Sequence, residues 1–369
     1  MAGGKVKILV APLDWGLGHA TRCVPVIREF LAHGAEVEIA VVKANASFFR
    51  ETFPKLRQRI APGYNVEYPD HGYNMGLWLL KNGARLNAIM RYEHRYAEEM
   101  VARHHYDILF SDNRFAFYSK KAHNVYMTHQ RRIAFPPVFS SFEGVGVRWH
   151  DARIAHFDEV WVPDVKEFPG YAGTLSHVDS CSRPVRFVGP LSRFGESHAA
   201  LKGSEKDLDV VAVISGVEPS RTRFEDRLRR VLQKIPGRHV MILGQPSVPY
   251  SSWTEGNIEF HTHLPTDRFA EMIARSKRVV SRGGYSTVMD MAVLGASCIF
   301  VPIPGQYEQV VLAKNLSAAG YAVEIPEDKL GEESLRKALS AEGRVLPPFR
   351  QELLRGTVDD LFQNIGKYF

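Results

Sequence analysis

Two adjacent glycines followed by a hydroxyl pair form the most informative pattern in the sequence. A predicted strand ends in Gly283-Gly284, and the helix after it begins at the Ser286-Thr287 pair. Glycine lets a ligand come close to the backbone, and the unpaired N–H groups and dipole of a helix N-terminus attract anions. These residues therefore predict a seat for a diphosphate. A structural alternative stays open, because Thr287 and Asp290 also make an acceptable capping box.

A histidine near the start of the first predicted helix is the candidate general base. His19 follows the turn Gly16-Leu17-Gly18. The helix dipole disfavours the charged imidazolium there, so the ring stays neutral and basic near physiological pH. A structural or substrate-orienting role is the alternative. The turn is an incomplete dinucleotide fingerprint, because Thr21 replaces its third glycine and Lys43 stands where NAD-binding proteins carry an acid. We therefore discount a nicotinamide enzyme.

The elements that must position these residues alternate between short β-branched runs and longer amphipathic runs, as βαβ units do. In the first half we predict a helix at about 21–32 and strands at 5–13, 37–42, 107–111, 159–162 and 185–188. In the second half we predict helices at about 267–274, 287–294 and 307–319, and strands at 209–215, 239–243, 258–260, 278–281, 298–303 and 321–325. The sequence thus predicts two doubly wound α/β domains that bind ligands at the carboxyl ends of their strands.

A polar segment after Gly189-Pro190, rich in serine, glycine and charge, has the composition of an interdomain linker. The chain of 369 residues is long enough for two domains. We place the first domain at residues 1–195 and the second at 196–347. Residues 348–369 have a helical pattern, and one option is that they pack back on the first domain.

Composition excludes several classes of protein. With 45% hydrophobic and 24% charged residues the chain is globular. Its net charge of +6 favours anionic partners such as phosphates, without the dense basic clusters of a nucleic-acid-binding protein. Cys23, Cys181 and Cys298 are widely spaced, which argues against disulfides and structural zinc and for a reducing cytoplasm. No apolar run reaches the ~18 residues of a membrane span, and the N-terminus reads as a strand rather than a signal peptide.

Three motifs together make the sequence resemble the GT-B glycosyltransferases. Within them it is similar to glycosyltransferase family 28, the branch whose members include the enzyme that transfers N-acetylglucosamine to the peptidoglycan lipid precursor. The motifs are GLGHATR after the first strand, GGYST-x-x-D after a strand of the second half, and VPIPGQYEQ one strand later. The resemblance spans both halves of the chain. It implies two Rossmann-like domains facing each other across a cleft, with the acceptor bound by the first and a nucleotide sugar by the second.

The same resemblance implies roles for residues of the second domain. The helix with the glycine-rich motif would hold the diphosphate, and Asp290, where many members have Glu, would accept hydrogen bonds from the ribose. The turn after strand 298–303 would reach the donor sugar, because amides and carboxylates offer several donors and acceptors in fixed geometry; a solvated loop is the alternative. Leu264 would pair with the base through its backbone, and Ser215-Gly216 would face the diphosphate. The donor-binding set is Gly18, Ser215, Gly216, Leu264, Gly283, Gly284, Ser286, Thr287, Asp290, Gln306, Glu308 and Gln309.

Analogy with inverting glycosyltransferases of this architecture pairs the base with an aspartate. Asp112 follows the predicted strand 107–111, and in several such enzymes an aspartate after the equivalent strand orients the base. Asp14 competes for this role, and either carboxylate could instead cap a turn. An acceptor hydroxyl deprotonated by His19 would then attack the anomeric carbon from the face opposite the diphosphate.

Three further patterns receive less weight. Asp207-Leu208-Asp209 has the form of a metal-binding D-x-D, but it lies at the start of a strand, so we interpret it as solvated charge. His261 and His263 have the spacing of two metal ligands without an evident third. The run 74–91 mixes tryptophan and leucine with lysine and arginine and could dock on a membrane, although a helix with its cations outward is slightly favoured.

The sequence as a whole predicts an inverting, metal-independent glycosyltransferase of the hexosyltransferase class. It would need no cofactor, would use a UDP-sugar as donor, and would act on a hydroxyl acceptor, with a lipid-linked compound or a glycan as options. We expect a cytoplasmic protein, with peripheral association at the inner face of the membrane as a further option, and no nucleic-acid partner. The alternatives are a nucleotide-sugar 2-epimerase of the same architecture and a catalytically silent nucleotide-sugar binding protein.

Overall fold

The computed structural model of the chain describes residues 5–14, 17–64, 75–132, 143–179, 181–195, 198, 200–216, 218–245, 248–342, 345–347 and 351–365. Gly16, residue 74 and the side chains at 75–81 lie outside the described part, as do residues 196 and 348 at the predicted domain limits. The described strands form two sheets of seven strands each. We refer to the sheets with their helices as the first and second domains.

The first sheet is parallel throughout, in the order β3-β2-β1-β4-β5-β6-β7. Its strands are β1 (Lys7–Pro12), β2 (Glu36–Val41), β3 (Gln58–Ile60), β4 (Ile108–Asp112), β5 (His123–Met127), β6 (Glu159–Val162) and β7 (Val185–Phe187). Its described helices are α1 (Leu17–Ala32), α2 (Ala46–Thr52), α3 (Met75–His104) and α4 (Glu143–Ile154). The strand order reverses between β1 and β4, and this switch point opens a crevice at the carboxyl ends of the strands.

The second sheet has the order β10-β11-β9-β8-β12-β13-β14 and is parallel except for the β10–β11 pair. Its strands are β8 (Leu208–Val213), β9 (His239–Ile242), β10 (Ser252–Glu255), β11 (Ile258–His261), β12 (Ser276–Ser281), β13 (Cys298–Phe300) and β14 (Ala322–Glu324). The helices after β8 are α5 (Ser220–Leu232), α6 (Thr266–Arg275), α7 (Tyr285–Leu294), α8 (Tyr307–Ala318), α9 (Glu332–Ser340) and α10 (Gln351–Asn364). The switch point of this sheet lies between β8 and β12.

The last helix lies on the first domain rather than the second. Leu354, Val358 and Leu361 of α10 join the same buried apolar cluster as Phe30 of α1. Asp359 accepts a hydrogen bond from the His33 ring across 2.7 Å. The chain therefore crosses back over the interdomain boundary after α9.

The elements agree with the predicted βαβ alternation, with two differences that matter for the site: β5 was not predicted, and α1 starts earlier than expected. α1 begins at Leu17, four residues earlier than predicted, so His19 lies in the first turn of the helix instead of in the preceding turn. None of the described helices is both long and apolar enough to cross a membrane.

Candidate active site

The two switch points meet where the N-terminal turns of α1 and α7 touch. The Ser286 hydroxyl donates a hydrogen bond to the Gly18 carbonyl across 3.0 Å. A Cβ atom on Gly18 would lie only 2.7 Å from that hydroxyl oxygen, so the close approach of the two helices itself favours glycine. Two helix N-termini, each with a partial positive charge, thus share one interdomain site, which favours an anion between the domains.

The predicted base and an aspartate are paired at the first switch point. His19 Nδ1 lies 3.0 Å from Asp112 Oδ2, and the Asp112 side chain is completely buried whereas that of His19 is 15% exposed. Asp14 faces elsewhere, because its Oδ2 accepts the backbone N–H of Tyr64 across 2.8 Å. Of the two carboxylates considered from the sequence, Asp112 is therefore the one that contacts the imidazole.

Arg22 completes this pair and was missed by the sequence reasoning. Its Nε lies 2.9 and 3.0 Å from the two carboxylate oxygens of Asp112, and its Nη2 also donates to Oδ1. Burial alone would raise the pKa of Asp112, but the guanidinium and His19 hold that pKa below its usual value. Asp112 therefore remains a carboxylate. Arg22 ends the GLGHATR motif and stands three residues after His19, a helical spacing that could have identified it.

The pKa of His19 is lowered from its ordinary value of 6.5 by burial and by the Arg22 charge, against the opposing effect of Asp112. The ring is therefore neutral at pH 7, and a lowered pKa means that it becomes protonated only below pH 6.5. If His19 acts as the base, the acid limb of a pH profile of kcat/KM should lie below pH 6.5. Initial rates at low substrate concentration between pH 4.5 and 8 would measure this limb; a limb above pH 6.5 would contradict the assignment.

A second histidine joins the two domains beside this pair. His129 follows β5, and its Nδ1 lies 2.9 Å from Arg22 Nη1. Its Nε2 lies 2.9 Å from Glu308 Oε1 in the first turn of α8. The His129 ring stacks on Tyr285 of α7, with centroids 3.9 Å apart and an interplanar angle of 9°. The Tyr285 hydroxyl donates to the Pro163 carbonyl of the first domain. Sequence analysis did not single out His129, because β5 was not predicted.

The N-terminus of α7 lies at the predicted diphosphate seat without a side-chain cap. Its N-cap residue is Gly284, and Tyr285 is the first helical residue, so the alternative of a capping box starting at Thr287 is not realised. Gly284 has ordinary extended dihedrals, φ −67° and ψ 145°. An added Cβ would meet nothing closer than 3.6 Å at Gly283 and 3.9 Å at Gly284. Unlike Gly18, these glycines are not required by contacts within the protein.

Asp290, the predicted ribose ligand, contacts the segment that joins the domains. Its Oδ1 accepts the Ser192 hydroxyl at 2.5 Å, and Arg193 Nε lies 3.9 Å from its Oδ2. Burial raises the pKa of Asp290, while Arg193 and Ser192 act in the opposite direction. A ribose hydroxyl at this carboxylate would therefore compete with Ser192 for Oδ1.

The remaining residues of the predicted donor-binding set follow strands β8, β11 and β13 of the second domain. The Gln309 amide accepts from Ile303 N across 3.1 Å and donates to Gln306 Oε1 across 2.7 Å. Its Nε2 comes within 3.9 Å of the position that a Cβ on Gly284 would take. Leu264 packs its half-buried side chain on the core of the second domain. Ser215 and Gly216 follow β8, with Gly216 exposed at φ +119°.

In the described part of the chain, no group of three or more His, Cys, Asp or Glu side chains is arranged to hold a metal ion. The acids of the D-x-D pattern are paired with cations. Asp207 binds Arg275 and Arg238, and hydrogen bonding to Arg275 is the main cause that lowers the pKa of Asp207 to about 2. Asp209 binds Lys277 across 2.8 Å. Both carboxylates are partly exposed, in agreement with the solvated charge predicted from the sequence, and the structure adds their cationic partners.

The fold and the site define the class of protein: two doubly wound domains with a shared cleft at their switch points form the GT-B glycosyltransferase architecture. Solved structures with this fold include a UDP-glucosyltransferase from Polygonum tinctorium, with 10% identity over 99% of this chain and 95% of that chain and a TM-score of 0.64. MurG from Acinetobacter baumannii shows 13% identity over 98% and 100% of the two chains, with a TM-score of 0.57. The predicted fold class is confirmed.

The second domain gives a more particular match. Residues 247–343 match the Glycosyltransferase family 28 C-terminal domain. A curated relative from Nitrosospira multiformis, a UDP-N-acetylglucosamine--N-acetylmuramyl-(pentapeptide) pyrophosphoryl-undecaprenol N-acetylglucosamine transferase, is 29% identical over 175 residues, which cover 44% of this chain and 47% of that protein. The chain thus matches about half the length of this relative. These relatives and structural neighbours are glycosyltransferases, and the resemblance drawn from the sequence motifs is confirmed.

Proposed function

We propose that this protein is an inverting, metal-independent glycosyltransferase that transfers the sugar of a UDP-sugar to an acceptor hydroxyl. One observation carries the proposal: the His19–Asp112 pair and the uncapped N-terminus of α7 lie in a single cleft between the domains. Inversion at an anomeric carbon needs a base on one face and stabilisation of the leaving group on the other. The two switch points offer these two groups from opposite domains.

In the proposed reaction the acceptor hydroxyl transfers its proton to His19 Nε2 while Nδ1–H donates to Asp112. The hydroxyl oxygen forms a bond to the anomeric carbon as the bond to the diphosphate oxygen breaks, through a transition state with oxocarbenium character. Negative charge then develops on the leaving UDP. The N–H groups and dipole of α7 stabilise this charge in the role that a metal ion has in other transferases.

For the acceptor we propose a lipid-linked compound, reached by peripheral association with the inner face of the membrane from the cytoplasm. The name of the Nitrosospira relative includes a pyrophosphoryl-undecaprenol acceptor. Arg85 and Arg91 on α3 are exposed and agree with a docking face for an anionic surface. Sedimentation with vesicles containing 30% anionic lipid, compared with neutral vesicles, tests this part of the proposal; equal recovery with both would contradict it.

A thermal-shift experiment tests the class of ligand. A ligand that binds only the native state raises the melting temperature by mass action. At a ligand concentration of 100 times the Kd, the free energy of unfolding increases by about 2.7 kcal/mol. We expect UDP to stabilise the protein and NADP to leave the melting temperature unchanged. Stabilisation by NADP alone would overturn the proposal. Incubation with the UDP-sugar alone separates the alternatives, because a new sugar isomer without an acceptor identifies an epimerase.

Gly284→Ala should weaken UDP binding by about tenfold or more without unfolding the protein. The alanine fits the observed dihedrals and meets no atom closer than 3.9 Å, so its effect on the free energy of unfolding should stay within about 1 kcal/mol. The methyl group would stand where the diphosphate approaches the backbone. Isothermal titration calorimetry with UDP measures the effect. Gly144→Ala on α4, where an added Cβ meets no atom within 4 Å, is the matched control, and equal Kd values for the two variants would contradict the assigned seat.

A further inference from the structure

We infer that His129 is a positioning residue that links the donor sugar to the general base: its Nδ1 holds Arg22 on the His19–Asp112 pair, and its Nε2–H holds Glu308 at the sugar-binding turn. The inference rests on the proposed function of the cleft. It adds His129 to the residues that serve catalysis and specifies which ring nitrogen of His129 carries the proton. His129 is only 5% exposed, and it connects α1 of the first domain with α8 of the second through two hydrogen bonds of 2.9 Å each.

The chemistry of the two partners fixes the direction of this link. A guanidinium can only donate hydrogen bonds, and an ionised carboxylate can only accept them. Desolvation would raise the pKa of Glu308, but His129, His19 and Arg22 together hold it below its usual value, so Glu308 is ionised. His129 Nδ1 must therefore accept from Arg22, and its single proton in the neutral ring must lie on Nε2 and point to Glu308. Only one neutral tautomer satisfies both contacts.

The same rule shows what the link does for His19. Two groups compete for His19 Nδ1: Asp112 Oδ2 at 3.0 Å, which can only accept, and Arg22 Nη2 at 2.9 Å, which can only donate. If Nδ1 accepts from Arg22, the proton moves to Nε2 and the ring cannot take a proton from the acceptor there. If Nδ1–H donates to Asp112, Nε2 is free to act as the base. The hydrogen bond from Nη1 to His129 holds the guanidinium on Asp112, where Nε and Nη2 bond the carboxylate oxygens. Asp112 therefore stays ionised, can only accept from His19 Nδ1–H, and so favours the productive tautomer.

The second domain can influence this arrangement through the other end of His129. Glu308 is 35% exposed and is one of the residues proposed to reach the donor sugar hydroxyls. The ring also stacks on Tyr285, the residue directly after the N-cap of α7, so the imidazole touches both the sugar-binding turn and the diphosphate seat. A donor seated there contacts groups whose positions depend on the same imidazole that holds Arg22.

Two isosteric substitutions separate the two hydrogen bonds. The Oδ1 atom of asparagine lies where histidine has Nδ1, and the Nε2 atom of glutamine lies where histidine has Nε2. His129→Asn therefore keeps an acceptor for Arg22 and loses the reach to Glu308, whereas His129→Gln keeps the donor to Glu308 and loses the acceptor for Arg22. We expect His129→Gln to lower kcat by about tenfold to a hundredfold with the donor KM within twofold of wild type. We expect His129→Asn to raise the donor KM by about fivefold or more with a smaller loss of kcat.

The pH profile gives a readout that a purely structural role would not change. The charged and titratable groups that face His19 are Arg22, Asp112 and His129 of the first domain and Glu308 of α8. The Arg22 charge lowers the pKa of His19, so releasing Arg22 in His129→Gln should move the acid limb of kcat/KM to higher pH. Equal losses in the Asn and Gln variants with unchanged limbs would show that His129 only supports packing, and would overturn the inference.

Nuclear magnetic resonance of the wild-type protein with ¹⁵N-labelled histidine tests the tautomer without any assay of activity. We expect the signals of the neutral His129 ring to show protonated Nε2 and unprotonated Nδ1. These signals should be missing from the spectrum of His129→Ala, which identifies them. A protonated Nδ1 in His129 would overturn the inference whatever the enzyme transfers. Failure of UDP to stabilise the wild-type protein would instead overturn the proposed function and leave the tautomer result standing.

Discussion

His19→Ala should lower kcat by on the order of 10²–10⁴, the usual contribution of a general base, while the Kd for UDP stays within about twofold of wild type. The imidazole lies in the first turn of α1 at hydrogen-bond distance from Asp112, whereas the diphosphate is proposed to sit on the N-terminus of α7. Removing the ring therefore removes proton transfer and leaves the donor seat intact. Initial rates at saturating donor and acceptor, with calorimetry for UDP, measure the two quantities.

His33→Ala provides the matched control for this substitution. His33 stands just after the end of the same helix, and its ring bonds the Glu29 carbonyl and Asp359, far along α1 from the cleft. We expect its kcat to remain at the wild-type value. A His19→Ala enzyme with kcat within threefold of wild type would place the base elsewhere, and an equal fall in kcat and UDP affinity would show that the ring organises the donor site.

Much of the fold could be predicted because its strands are short apolar runs separated by amphipathic helices. β13 is a buried apolar segment and β12 ends in the buried run Val279-Val280-Ser281. Glycines lie close to both strands, and the sequence located them to within a few residues. β5 was missed although all five of its residues are buried. His123 and Asn124 interrupt its apolar pattern, and both are accommodated by tertiary contacts: the Asn124 amide, for example, donates to the carbonyls of Ser119 and Ala122 across 2.8 Å each.

The site could be predicted where it depends on chain-local features and not where it depends on contacts between domains. His19, in the first turn of α1, and Gly284, the N-cap of α7, both follow a strand closely, at positions where doubly wound sheets bind ligands. The link between Arg22 and His129 exists only because the end of β5 comes beside α1, and the contact of His129 with Glu308 only because the second domain comes beside both. No spacing in the sequence encodes these distances.

Two glycines of the cleft also differ in whether contacts between the domains explain them. Gly18 and Gly284 both belong to the donor-binding set predicted from the sequence. At Gly18 a glycine is favoured by the packing of the N-terminus of α1 on that of α7, because a Cβ there would lie 2.7 Å from the Ser286 hydroxyl oxygen. A Cβ on Gly284 would meet no atom of the protein closer than 3.9 Å. Gly284 is therefore the glycine that close approach of a diphosphate would explain.

Asp112→Asn should lower kcat by on the order of 10³–10⁴, the upper value being the effect of replacing the aspartate of a Ser-His-Asp triad by asparagine. Asparagine can present an N–H to His19 Nδ1, which then accepts and leaves its proton on Nε2, the wrong tautomer for a base. Because Asp112 raises the pKa of His19, its neutralisation should lower that pKa further and move the acid limb of kcat/KM to lower pH. This direction is opposite to the shift expected for His129→Gln, so the two variants distinguish loss of the carboxylate from release of Arg22.

The stability of Asp112→Asn must be measured together with its kcat, because Asp112 is also the ion-pair partner of the buried Arg22 guanidinium. Leaving Arg22 unpaired costs about 3–5 kcal/mol in comparable buried pairs, so rates should be taken well below the lowered melting temperature, where UDP still stabilises the folded variant. Asp14→Asn is the matched control: it changes the other aspartate considered for this role, whose Oδ2 accepts the backbone N–H of Tyr64. A large fall in kcat for Asp14→Asn, with Asp112→Asn near wild type, would reverse the assignment of the two carboxylates.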